Sequence, residues 1–570
     1  MPGTSTPSLR RAITVGSAIV ATALAAAGGI ARGDAPTVKS IFPAGAQQGK
    51  TVEVTVSGTL KPWPPKVHVV GAGVRFEPTK TEGKFSVTVA ADAPFGPRWI
   101  RFANDDGASA VRPFYVGALA ELNETEPNDE LTQAKLIGPD LAKSPTVVNG
   151  VLAKGEKGAD VDAFRVHLKK GETLVACADA YRTLGSPIDG VLQLVSAAGF
   201  VVTQSNDELN QDARIVFTAP QEADYYVRLF GFPAVGTSAI RFVGDPTGIY
   251  RLTLTTGPYV DVAYPPVVRV GEPGRFELTG WNLGPKKSFE LSSVAAASSI
   301  ARVLPLAAPG NPEYLAVDAP IVVERETIGD AKGTPAPPTI TGPAFVAGRI
   351  DRPGDRDVYT LKVAKQQLFK FKVHSQSLAF PIDPVLRLED REGKSLGRFD
   401  DGKRGEFDVD AVYRAPADAE LRLIIEDAFG GGGPRHVYVL EVQTGEPDFT
   451  LALAATEFTT EVGKPLEIPV TIERNPDHKT DIEIRLEGLP AEFGEAKGVS
   501  STKGETATKV VLKLTATKPY QGLVRVVGKS MGKTEVRAVA KAPVAAMPTP
   551  TPADAFVDEV LLVVGPAKKK

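Results

Sequence analysis

The chain has 570 residues, too many for one hydrophobic core, so roughly three to five domains are expected. Its 65 basic and 68 acidic residues nearly cancel, which gives no bulk electrostatic basis for a nucleic-acid or membrane-surface partner. Glycine (55) and proline (47) are plentiful while Met (3) and Trp (3) are scarce, a mix that suits short strands and turns and argues against helical bundles. The single cysteine, Cys177, excludes an intramolecular disulfide and a cysteine-rich metal site, and reads as a small apolar strand residue.

In chain order, Arg10-Arg11 precede a weakly apolar run from Ala12 to Ile30, and Ala31-Arg32-Gly33 offers small residues for cleavage before Asp34. Residues 1–33 therefore read as a signal peptide, by the general or the twin-arginine route. No later apolar stretch approaches the ~20 residues of a spanning helix. The mature chain is expected to lack a membrane span and to be secreted, periplasmic or held at the cell surface. Next, Thr51-Val52-Glu53-Val54-Thr55-Val56 and Lys84-Phe85-Ser86-Val87-Thr88-Val89 alternate strictly, which predicts a small β-sandwich over 34–117. Its opening, Ser40-Ile41-Phe42-Pro43-Ala44-Gly45 with Gly49, resembles the immunoglobulin-like domains called IPT or TIG.

A second unit, 118–257, holds the acidic stretch Glu124-Thr125-Glu126-Pro127-Asn128-Asp129, then Asp160-Val161-Asp162 before the alternating Phe164 to Leu168. The alternation turns His167 outward. A third unit, 258–323, repeats the first in brief through Tyr264-Pro265-Pro266, Gly271 and Phe276 to Gly280. A fourth, 324–446, repeats the second: Gly348 answers Gly150, Asp355 and Asp357 answer Asp160 and Asp162, Asp383 answers Asp189, and Asp400-Asp401 answer Asn206-Asp207. So many ordered matches imply duplication of a two-domain cassette. A fifth sandwich is predicted over 447–545. Residues 546–570 read as a proline-rich linker and tail, with Val560 to Val564 adding at most an edge strand and Lys568-Lys569-Lys570 solvated.

The two acidic clusters invite a cation. Calcium takes six to eight oxygen ligands, and Glu124, Glu126, Asn128, Asp129, Asp160 and Asp162 supply enough oxygens if their loops converge. Without His or Cys, zinc is disfavoured. Spacing alone leaves open a set of solvated loop acids. The two motifs, read together, resemble the bacterial pre-peptidase C-terminal (PPC) domain. That resemblance implies a jelly-roll-like β-sandwich, and a calcium ion held by those six residues. The fourth unit keeps Glu324 and Glu326 but has Ile328 and Gly329 where Asn128 and Asp129 stand, so calcium is expected to bind there weakly or not at all.

Five scattered histidines form no HExxH, and no G-x-S-x-G turn is present. Asp400-Asp401 read as a solvated loop pair. The expected protein is thus all-β, with immunoglobulin-like sandwiches alternating with jelly-roll-like ones. It is expected to be non-catalytic and to bind an extracellular protein or polysaccharide. An accessory chain of a secreted peptidase is the alternative, and a hydrolase a distant third.

Overall fold

The computed structural model describes residues 34–567 except 154–158, 236–240, 286, 296–300, 307, 311, 325–336, 404, 446–447, 476, 533–535, 546, 548–551 and 553–554. The expected signal peptide and the lysine tail lie outside the described residues. Among those described, the only α-helix is one turn, Tyr181–Leu184; strands make up nearly all other regular structure. No described helix is long and apolar enough to cross a membrane.

The chain is a series of β-sandwiches. In the first, Thr51–Thr59 lies between Thr37–Phe42 and Lys84–Val89. Its alternation turns Val54 and Val56 into the core, where they meet a second sheet containing Gly96–Asn104 and Arg112–Gly117. Phe76, Phe85, Phe102 and Phe114 pack there at centroid distances of 5.1 to 6.3 Å. Burying each such ring stabilises the domain by roughly 2–3 kcal/mol.

The second and fourth sandwiches share one strand plan. Ala120–Asn123 runs parallel to Thr146–Val151, which pairs in turn with Ile249–Thr255. Ile321–Val323, Ala344–Arg349 and Val437–Thr444 repeat that arrangement. The facing sheets centre on Asp162–Leu168 beside Ala223–Pro233, and on Asp357–Val363 beside Ala419–Asp427. The parallel register matters for the site. Asn123 stands opposite Asn149 and Val323 opposite Ala347, so Glu124 and Glu324 leave the sheet beside Gly150 and Gly348.

The third sandwich is smaller, and its Val262, Val267, Leu315 and Val317 join the core of the fourth. The fifth corrects the expectation of a trailing linker. Val560–Gly565 is an inner strand, parallel to Glu457–Glu461 on one side and antiparallel to Tyr520–Ser530 on the other. Met547 packs on the same core. The tail has no hydrophobic run longer than a strand, so its burial was visible only once a gap in the sheet was. The first and fifth sandwiches also touch. Arg101 Nη1 donates to Thr456 O (2.5 Å), Ala108 N to Glu457 Oε1 (2.8 Å) and Gln521 Nε2 to Asn104 O (2.6 Å), around an apolar contact of Ala103 with Leu561 and Val563.

Candidate metal centre

The backbone brings the two acidic segments together before any side chain is considered. Glu124 N donates to Asn149 O (2.9 Å), continuing the parallel strand, and Ala163 N donates to Asn128 O (3.0 Å), tying the loop to the start of Asp162–Leu168. As a result, carboxylate oxygens of Glu124, Glu126 and Asp162 lie within 4.8 Å of one another. With its NH2 group turned toward them, the Asn128 amide donates to Glu126 Oε2 (3.1 Å) and Asp162 Oδ1 (2.9 Å). Turned over, the same planar group presents its carbonyl oxygen there. Of the six residues named from the sequence, Glu124, Glu126 and Asp162 bring their carboxylates together with Asn128 between them, while Asp160 feels the charges of Glu126 and Glu124 and bonds Asp129.

Two further groups complete the site. Val151 N donates to Glu124 Oε1 (2.6 Å). The Tyr250 hydroxyl lies 2.6 Å from both Glu124 Oε2 and Asp162 Oδ2. A phenol has one hydrogen to donate, so it serves one carboxylate at a time. The other needs a proton of its own or a cation. Tyr250 reaches them because its partner in the strand pair is Gly150; a Cβ at Gly150 would sit 2.0 Å from Tyr250 Cζ.

Burial makes this concentration of charge expensive. Asp160, Asp162 and Asn128 are all at most 3 % exposed, so a bare carboxylate there has lost its water. Burial, then Glu124 and Asp160 beside it, holds the Asp162 carboxyl well above the usual range. Burial and Glu126 push Asp160 up to about 7. Glu124 and Glu126 are raised too, chiefly by burial. Among the described residues, the groups that act most strongly on the four are one another, Asp129, Tyr250 and backbone N–H groups. Carboxylate oxygens within 4.8 Å of one another can share one ion at calcium's ligand distance of about 2.3–2.6 Å. The donor set is all oxygen and fits calcium, not zinc.

The fourth sandwich repeats the frame with different chemistry. Glu324 N donates to Ala347 O (2.8 Å), as Glu124 does to Asn149. Tyr438 donates to Asp357 Oδ2 (2.6 Å) across Gly348. Where the first copy has apolar Phe164, Tyr359 places its hydroxyl 2.7 Å from that of Tyr438. Where the first copy has Val151, Arg349 pairs with Asp351, stacks 5.3 Å from the Tyr264 ring and feels the charge of Glu324. The second copy thus contains its own cation. Glu326, Ile328 and Gly329 lie outside the described residues.

Sequence reasoning missed Tyr250 and Tyr438; the repeat carried the signal, since both stand opposite the matched glycines. Asp400-Asp401, read from the sequence as a solvated loop pair, are half-buried and exposed, and they also meet Asp383, with carboxylate oxygens within 4.8 Å. Burial and Asp401 push Asp383 up to about 6, while Arg398 pairs with Asp400. His167 faces out, as the alternation requires, and bonds Asp224 (2.8 Å). Cys177 is buried in the strand Thr173–Asp179, and burial pushes its thiol up to about 12, which leaves no nucleophile.

No protein-family model matches the chain, and no curated protein matches it. Among solved structures, a β-glycosidase from Bacteroides vulgatus is similar over 33 % of this chain and 26 % of that one, at 10 % identity and a TM-score of 0.20. Trypsin-activated α-2-macroglobulin from Escherichia coli is similar over 92 % and 41 %, at 11 % identity and 0.14. The surface layer protein SbsC, domains 1–6, is similar over 89 % and 54 %, at 9 % identity and 0.13. The chain thus spans from about a quarter to about half of these proteins.

Proposed function

We propose that this chain is an exported, non-catalytic array of β-sandwiches that binds protein or polysaccharide at the cell surface or in matrix, with calcium stabilising its first jelly-roll-like domain. The observation that carries the calcium reading is the meeting of Glu124, Glu126 and Asp162 carboxylate oxygens within 4.8 Å of one another beside the buried Asp160. Glu124, Glu126, Asp129, Asp160 and Asp162 would hold the ion through carboxylates and Asn128 through its carbonyl. The ion would supply positive charge among these carboxylates, and Tyr250 orients Glu124 and Asp162 beside it. The resemblance of both motifs to the PPC domain supports the same assignment.

The binding reading draws support from hairpin tips. Phe200 is 74 % and Phe429 87 % exposed, and such projecting rings offer apolar surface to a partner. Hydrogen exchange of the whole chain with calcium and with chelator tests the metal. Calcium should slow exchange across 120–168 and much less across 321–363; equal exchange in both conditions refutes it. A pull-down from a secreted fraction tests the partner. Recovery of glycan or envelope protein supports the reading, and recovery of a peptidase favours the accessory-chain alternative.

A further inference from the structure

The first and second sandwiches meet along a groove of about 380 Å3, within the ~300–1,000 Å3 typical of ligand sites. Apolar residues line much of it: Ile41 and Ala44 from the first sandwich, Leu184, Pro187 and Ile249 from the second. A strand edge lines it too. Val38 to Ile41 belong to Thr37–Phe42, which stands at the end of its sheet and pairs only with Thr51–Thr59 among the described residues. Backbone groups on the far side of that strand have no strand partner, which makes the edge a template for an added strand. The groove is completed by Arg112 and Pro113, at the start of Arg112–Gly117. Gly45–Gln47 runs beside that strand only from Tyr115 onward, so its first residues are left uncovered there.

Arg112 brings a charge without a counter-ion. Its guanidinium donates to two backbone carbonyls at long range, Lys39 O (3.3 Å) and Val111 O (3.4 Å), and it pairs with no carboxylate among the described residues. A guanidinium carries five N–H donors, so most of this fork is unspent. Burial lowers its pKa from the usual value, as expected of a half-buried cation that lacks an anion. The bond to Lys39 O sets the fork against the edge of Thr37–Phe42. Lys39 is the other charged residue of the lining and is exposed; among the described residues no Asp or Glu lines the groove. Asp245, two residues from the lining Thr247, is occupied by the Thr247 N–H (2.8 Å) and hydroxyl (2.7 Å) and feels the charge of Lys39.

We propose that this groove receives the C-terminal end of an extended peptide from a partner protein, with its terminal carboxylate on Arg112, its backbone added to the edge of Thr37–Phe42 and an apolar last side chain among Leu184, Pro187 and Ile249. Each part of such a peptide answers one feature of the groove. A free strand edge recognises backbone amides, an unspent guanidinium fork recognises a carboxylate, and the apolar lining takes the side chain. An aliphatic acid would use the last two features and leave the strand edge idle. None of the lining residues belongs to the acidic cluster or to the exposed hairpin tips, so failure of this proposal leaves the reading above as it stands.

Fluorescence anisotropy of the full chain tests this with a fluorescein-labelled Gly-Ser-Thr-Val-Leu peptide. With a free C-terminus the peptide should bind saturably, at one site per chain. The same peptide ending in a carboxamide should bind at least about ten-fold more weakly, as loss of a charged hydrogen bond requires. Glycine in place of the last leucine should weaken binding by about the same factor, through lost apolar burial. Arg112→Gln should bring the free-acid peptide to the level of the carboxamide and leave the carboxamide's affinity unchanged. Hexanoate should displace the label only at concentrations at least about ten-fold above those of unlabelled peptide, since it forms none of the backbone bonds. Absence of saturable binding, or equal binding of free acid and carboxamide, overturns the proposal whether or not the variant folds. Displacement by hexanoate at the peptide's own concentration overturns it too, and assigns the groove to free aliphatic acids. A folded Arg112→Gln chain that binds the free acid like the wild type overturns it as well.

Discussion

Replacing Asp162 by Asn should change stability in opposite directions with and without calcium. Asp162 is fully buried and shares Tyr250 with Glu124. At pH 8 without a cation its charge faces Glu124 and Asp160 unopposed, and the native state must either bear that repulsion or hold a proton. Raised carboxyls make the folded chain the better proton binder, so cation-free stability falls as pH rises from about 4 through about 7. An amide at position 162 keeps the shape, removes one charge and donates to the remaining oxygens. Relief of one poorly solvated group is worth about 1–3 kcal/mol, and Asp162→Asn should be the more stable chain in chelator by about that amount. In calcium at ~100 times its dissociation constant the wild type gains about 2.7 kcal/mol; the variant forgoes most of this and becomes the less stable one. Hydrogen exchange of the strands Thr146–Val151 and Asp162–Leu168 reads both conditions in the full chain. A variant that is destabilised equally in chelator and in calcium refutes the reasoning, because a merely structural Asp162 would behave that way.

Other perturbations separate the remaining parts of the account. Gly150→Ala places a Cβ 2.0 Å from Tyr250 Cζ; displacing that ring should cost about 3 kcal/mol and lower calcium affinity, as a titration of the variant would register. Arg349→Val should destabilise the fourth sandwich by about 1–2 kcal/mol through loss of its partly exposed ion pair and its stacking on Tyr264. Calcium should not restore it, and exchange across 344–363 checks this. Acid should loosen the contact between the first and fifth sandwiches. Burial, then Lys66 and Arg101, lowers His68 from 6.5 to about 4, so the native state prefers it neutral. The stability tied to this group is complete above pH 6.5 and is lost as pH falls toward 4, about 3 kcal/mol in all. A His68→Leu chain should lack that component when the 101–108 amides are followed from pH 7 to 4.

The sequence alone determined the features that depend on local periodicity. Alternation of Val54 and Val56 or of Phe85 and Val87 requires a strand with one buried face, because side chains in an extended backbone repeat every two residues. The same period places Asp160 and Asp162 together, and ordered matches between 118–257 and 324–446 revealed the duplicated plan. Tertiary structure decided what lies between distant segments. Tyr250 meets Glu124 only through the pairing of Ile249–Thr255 with Thr146–Val151. Asp383 meets Asp400 and Asp401 only when two loops fold onto one another. Val560–Gly565 reads as an edge strand until Glu457–Glu461 is seen on its far side. A strand's register and a domain's neighbours are chosen by the total fit of surfaces far apart in sequence, and no short window of residues contains that sum.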